Sequence, residues 1–183
     1  MRIINHYISE KNDMKRFIVP AVFVSLPQLL ATIFSYHFFN SKSISLIVSI
    51  INLIVTFFIF IYFLKKYKKD YLSNEMSFSK GFGYSIKISI LWAIFGSLMN
   101  FVYTILNPEV IQAVMNRAFE EQKQKIIEQA GTISLSQEKN LKMILEINQN
   151  PLLILGESII YLFFLGLFIS LIVAAICKSK IKS

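Results

Sequence analysis

The chain has 183 residues, 55% of them hydrophobic and 16% charged, with a formal net charge of +8, a pI near 9.5 and a mean hydropathy of +0.56. A soluble domain carries about a quarter charged residues to coat its surface, so a soluble globular fold is excluded, and the single cysteine excludes a disulfide scaffold. Four apolar segments, 17–39, 44–64, 84–106 and 152–177, hold 93 of the 183 residues and only two of the thirty formal charges, Lys87 and Glu157.

A helix rising about 1.5 Å per residue crosses a hydrocarbon core of about 30 Å in roughly 20 residues. The segments are apolar on every face and lack the alternation of barrel strands. The expected fold class is therefore all-α: an integral-membrane four-helix bundle, one domain over residues 1–183. The first segment follows Arg2, Lys11, Lys15 and Arg16, as a signal peptide would. At 23 residues it is too long for a signal h-region, and it ends at Tyr36-His37-Phe38-Phe39-Asn40 without a small-residue cleavage site. It is expected to be retained as a span, with Pro20 and Pro27 kinking it or loosening its backbone.

Asn40 to Ser43 leaves room only for a tight turn, so the second segment is expected to run antiparallel beside the first. With the turn so placed, facing residues have numbers adding to 84, which pairs Gln28 with Thr56, Thr32 with Asn52 and Ser35 with Ser49. These residues lie on one stripe of each helix. They predict a polar seam of Gln28, Thr32, Asn52 and Thr56, contributing about 0.6 kcal/mol per hydrogen bond. The seam has two readings, packing glue or the lining of a path for a small polar solute. Just beyond the second segment, Lys65, Lys66, Lys68 and Lys69 surround Tyr67. Each cation near an anionic leaflet gains about 1 kcal/mol, so contact with anionic lipid is expected here and nucleic-acid binding is not.

The third segment carries Ser85, Ser89, Gly96, Asn100 and Tyr103 on one face. After it, Asn107 is placed to cap a helix with Pro108 at its first position and Glu109 in its first turn. Val110, Ile111, Val114, Met115, Ala118 and Phe119 form an apolar stripe, and Gly131 stops the helix. A second start at Ser134 with Gln137, or at Ser136 with Lys139, puts Leu141, Ile144, Leu145 and Asn148 on one face before Pro151. Residues 107–151 thus predict an amphipathic, extracytoplasmic helical hairpin between the third and fourth spans. Its stripe would be covered by its own second arm, the membrane surface or a partner protein. The last segment repeats Gly166, Ser170 and Ala174 at four-residue steps, with Gly156 on nearly the same face, a pattern that lets two helix backbones approach closely.

Basic residues near spans stay on the cytoplasmic side. One side carries thirteen, counting the N-terminal arm, residues 65–83, Lys87 and the tail lysines Lys178, Lys180 and Lys182, and the other carries six. Both termini are expected in the cytoplasm of a bacterial inner membrane. Lys87 is near enough to the basic end to snorkel, whereas His37, Asn100 and Glu157 fall in one layer near the opposite ends of their spans. A carboxylate near an imidazole there would carry protons or hold a cation, and the alternative is a structural, interfacial layer. No H-E-x-x-H, G-x-S-x-G or phosphate-cradling glycine loop is present, and two isolated histidines do not build a zinc site. No catalytic, cofactor-binding or metal residue is expected, and no enzymatic activity. Cys177, at the end of the last span, reads as an inert packing residue or a lipidation site.

Ser77-Phe78-Ser79-Lys80-Gly81-Phe82-Gly83 before the third span, Asn107-Pro108-Glu109 after it, and Gly166 through Ser170-Leu171-Ile172-Val173-Ala174-Ala175-Ile176 with a lysine tail resemble the domain-of-unknown-function 4199 family, uncharacterised membrane proteins of Bacteroidota. The resemblance implies a four-helix inner-membrane protein and brings no activity, ligand or site residue with it. The expected function is a non-enzymatic interaction or structural protein of the envelope, its hairpin meeting a second copy or an envelope protein. The alternative is a small oligomeric transporter or channel using the polar seam.

Overall fold

The helices run past the apolar segments because the flanking residues, though polar, also favour helix and find caps. A computed structural model describes residues 2–37, 42–148 and 150–179. Those residues form α1 (Arg2–His37), α2 (Lys42–Tyr71), α3 (Phe78–Leu106), α4 (Pro108–Ala130), α5 (Leu135–Asn148) and α6 (Pro151–Cys177), with no strand among them. In α1, α2, α3 and α6 the apolar stretches are long enough to cross a membrane. The turn expected at Asn40 to Ser43 falls partly on residues 38–41, outside the described residues, as do Lys180 and Lys182. α1 is continuous through Pro20 and Pro27.

Local chemistry sets the helix ends. Ser77 accepts the Lys80 N–H at 3.3 Å, which starts α3 six residues before its apolar segment. Asn107 does not cap α4 with its side chain. Its Nδ2 instead donates back to the Tyr103 carbonyl at 2.9 Å, closing the end of α3, and Pro108 alone marks the start of α4. Gly131, in the left-handed region at φ 74°, ends α4. At Ser134 a capping box forms: Ser134 Oγ accepts from the Gln137 N–H (3.2 Å) while Gln137 Oε1 accepts from the Ser134 N–H (2.9 Å). Asn150 caps α6 by accepting from the Leu152 N–H at 3.0 Å.

Around the bundle the order is α1, α2, α6, α3, and α3 against α6 is the most extensive contact. Its reason is the small-residue face. A Cβ built on Gly166 would sit 2.7 Å from Ser89 Cβ and 3.4 Å from Ser89 Cα, so only glycine permits this approach. At that distance the hydroxyls of Ser89 and Ser170 bond at 2.9 Å, and Ser97 donates to Ser158 at 3.0 Å. Ile88, Trp92, Ala93, Leu162, Ile169 and Val173 complete the core with Val24, Phe60 and Leu64.

At the basic end the chain after α6 is clasped to the α2–α3 turn. Ser73 and Asn74 take positive φ (48° and 65°), turning the chain so that Met76 reaches Ser179. The Met76 N–H donates to Ser179 Oγ at 2.9 Å, and the Ser179 N–H donates to the Met76 carbonyl at 2.8 Å. Lys68 donates to the Cys177 carbonyl at 3.2 Å, a cation at a helix C-terminus.

Replacing Gly166 with Ala is expected to destabilise the bundle by about 1–3 kcal/mol through overpacking. Ser89→Gly removes the opposing Cβ together with the hydroxyl bonded to Ser170, so the test is the coupling: Gly166→Ala is expected to cost less in the Ser89→Gly background than in the natural one. Thermal unfolding in detergent of the two single variants and the double checks this, and equal costs in both backgrounds would contradict the stated contact.

Candidate functional site

Polar side chains inside an apolar bundle must find partners in the protein, since hydrocarbon offers none. The expected seam solves this only in part. Asn52 Nδ2 donates to Gln28 Oε1 at 2.8 Å, so the facing pair adds to 80 rather than 84, and the expected pairs Gln28–Thr56 and Thr32–Asn52 are not the ones formed. Ser25 and Ser49 bond within their own helices, to the carbonyls of Ala21 (2.8 Å) and Ser45 (2.9 Å), as serine in a helix commonly does.

What the seam does form is one wall of a cleft of about 430 Å³ in the half of the bundle away from the basic end. α1 supplies Gln28, Thr32, Ser35 and Tyr36, α2 supplies Ser49, Asn52 and Thr56, and Trp92 and Tyr161 reach it from α3 and α6. Ser49, Ile50, Leu53 and Tyr161, the exposed residues of the lining, come from α2 and α6, so the mouth opens sideways between those helices. Toward the basic end the cleft is closed by Trp92 packed edge-on to Phe60, centroids 6.1 Å apart, with Val24, Leu64 and Ile88 buried beneath. No charged side chain lines it.

Five buried side-chain polar atoms among the described residues lack a hydrogen-bond partner, and three of them belong to this lining: Asn52 Oδ1, Thr56 Oγ1 and Trp92 Nε1. An unpaired buried donor or acceptor costs about 1–3 kcal/mol. All three face the same cleft, two from α2 and one from α3, so its lining is incompletely hydrogen-bonded. Trp92 and Tyr161 were not anticipated from the sequence. The available signal was that the only tryptophan lies mid-helix, far from the interface belt where its N–H would normally be satisfied.

Among the described residues no hydrogen bond or ion pair joins His37, Asn100 and Glu157 to one another. His37 Nδ1 lies 3.0 Å from the Ile33 carbonyl and 3.4 Å from the Tyr103 hydroxyl, beside the stacked rings of Tyr36 and Tyr103. Glu157 is exposed on α6, which has no extended packing against α1. Asn100 Oδ1 is another of the unpaired atoms. Of the four lysines after the second span, Lys65, Lys66 and Lys69 are exposed, and Lys68 is engaged with the end of α6. Lys87 is exposed, its ammonium 5.1 Å from the Phe17 ring centre, and Cys177 is buried.

A family model described as "Protein of unknown function (DUF4199)" matches residues 18–179, a stretch that takes in the four apolar segments except for residue 17. No curated protein and no solved structure matches the chain.

Thr56→Val removes an unpaired buried hydroxyl at nearly constant shape. It is expected to leave the fold intact and to raise stability by about 1 kcal/mol in the absence of ligand, read by Trp92 fluorescence during unfolding. A loss of stability would mean that the hydroxyl has a partner.

Proposed function

The chain belongs to the DUF4199 family, and on that premise we propose that it is a non-enzymatic, multi-pass inner-membrane protein that holds an uncharged polar group in the cleft between α1, α2 and α6. Its termini and its basic end face the cytoplasm, and the cleft lies in the outer half of the bilayer. The observation that carries this reading is the set of three unpaired polar atoms on one cleft lining. They ask for a ligand with both donor and acceptor capacity, since Asn52 Oδ1 accepts, Trp92 Nε1 donates and a threonine hydroxyl does either. A hydroxyl or amide group meets that demand. An ion does not, because a charge in this apolar setting would have no counter-charge to offset its desolvation.

The sideways mouth favours delivery from the bilayer, and the Phe60–Trp92 floor favours retention over conduction. Trp92, as the only tryptophan, reports occupancy directly. Titrating the purified protein with a monoacylglycerol, whose headgroup is an uncharged diol, is expected to change Trp92 emission saturably. Asn52→Leu is expected to weaken that binding by about threefold to tenfold, the worth of one hydrogen bond between groups in a membrane. A non-saturating response, or one that persists when Thr32→Phe fills the cleft, would refute the assignment.

A second role rests on a separate observation. α4 and α5 lie against each other, joined by an ion pair of Lys123 with Glu138 at 2.8 Å, yet α5 leaves Leu135, Met143, Ile144 and Ile147 exposed. Leu141 and Leu145 are half-covered, so Ile144 is the apolar member of the expected α5 stripe that α4 fails to hide. With residues 107–151 near electrical neutrality, two copies would meet there without strong repulsion, and we assign this face to a second copy of the chain. A cysteine at Ile144 in a Cys177→Ser background is expected to crosslink into a homodimer in native membranes. A crosslink to a different envelope protein, or none at all, would overturn the self-association.

A further inference from the structure

We infer that the basic end carries a discrete site for one anionic phospholipid, with the headgroup between α1 and α2 and an acyl chain along the groove that follows. The headgroup pocket, about 410 Å³, is lined by Lys15 and Arg16 of α1, Lys66, Tyr67, Asp70 and Tyr71 of α2, and Tyr84 of α3. Three cations against one carboxylate make it electropositive, and the Tyr67 and Tyr71 hydroxyls add donors suited to phosphate oxygens.

The pocket's shape is held from behind. Tyr84 stacks on Tyr67 with ring centres 4.0 Å apart and planes 7° from parallel, and its hydroxyl donates to the Arg16 carbonyl at 3.0 Å. The Arg16 guanidinium rests 5.2 Å from the Tyr71 ring centre. Headgroup-binding side chains from two helices are thus fixed against a third.

The pocket continues into the lipid-facing side of the α1–α2 pair. Val19, Phe63 and Lys66 line both it and an adjoining groove of about 610 Å³ formed by Phe23, Val55, Phe58, Ile59 and Tyr62. That groove passes by way of Phe23, Val55 and Ile59 into a further apolar groove of about 590 Å³. From Lys15 to Leu26 the helix rises about 16 Å, close to one leaflet of a core about 30 Å thick, and the second groove runs on to Phe34. A cationic mouth leading into an apolar trough at least one leaflet long matches a phospholipid more closely than a free anion, which would leave the trough unfilled. It also differs from general attraction to a basic stretch: Lys66 belongs to the pocket, while Lys65 and Lys69 do not line it.

The full-length protein, purified from bilayers of mixed phosphatidylcholine and phosphatidylglycerol and weighed with its lipids by native mass spectrometry, is expected to retain phosphatidylglycerol selectively. Lys66→Glu is expected to lower that retention by about tenfold or more, given roughly 1 kcal/mol for each cation lost or reversed, and Lys69→Glu to change it little. Val55→Trp, which blocks the trough, is expected to reduce retention with every cation in place. Thermal unfolding of each variant separates lipid loss from misfolding. The site is refuted if Lys69→Glu acts as strongly as Lys66→Glu, if phosphatidylcholine is retained equally well, or if soluble glycerol phosphate competes as effectively as the lipid, which would mark a phosphate site without a chain. It is also refuted if Val55→Trp abolishes a dimer and leaves retention unchanged, which would give the trough to a second copy.

Discussion

The tightest of the glycine contacts among the described residues, Gly166 against Ser89, sets how the rest of the bundle is arranged. Because glycine lets the α3 and α6 backbones come close, the serines on both helices meet one another and that pair makes the most extensive contact in the bundle. Small residues are what helices use where no hydrophobic drive exists between them. The α1–α2 pair has nothing comparable. Its faces carry Gln, Asn, Thr and bulky aromatic residues, and it packs on the α3–α6 pair chiefly toward the basic end, around Val24, Phe60, Leu64, Ile88 and Trp92. Where that packing stops, the cleft begins.

The two ends of the bundle consequently differ in chemistry. Near the basic end, aromatic stacking, cations and a clasp of backbone hydrogen bonds leave a charged pocket at the surface and a sealed interior. Toward the other end the interior is open, uncharged and incompletely hydrogen-bonded. A charged group is accommodated where water is near and a neutral one where it is not, as desolvation energies require.

The four long apolar helices were readable in the sequence because hydropathy over twenty residues is a cumulative signal that single residues barely disturb. The Gly166–Ser170–Ala174 face was readable too, since small residues at four-residue steps have one common use. The α1–α2 register was missed by one helical turn because the limits of an apolar segment do not fix how far one helix slides along the next. Asn107 shows the same limit: one amide can cap the helix after it or close the one before, and only the three-dimensional path decides. Of the cleft, the α1–α2 wall was readable as the polar seam, but the contributions of Trp92 and Tyr161 were not, since no local pattern specifies the order of four helices around a bundle.

The pairing of α3 with α6 also has a schedule. Ser89 and Ser170 are 81 residues apart in the chain, and at a synthesis rate of about 5–20 residues per second roughly 4–16 s pass between the emergence of one and of the other. During that interval α3 has left the ribosome with its glycine-matched face and its serine hydroxyls uncovered, while α4 and α5 are still being made. The helix on which the bundle is built therefore waits for its main partner through the synthesis of two further helices, and the nascent protein is most open to mispairing or to an insertion chaperone before α6 appears.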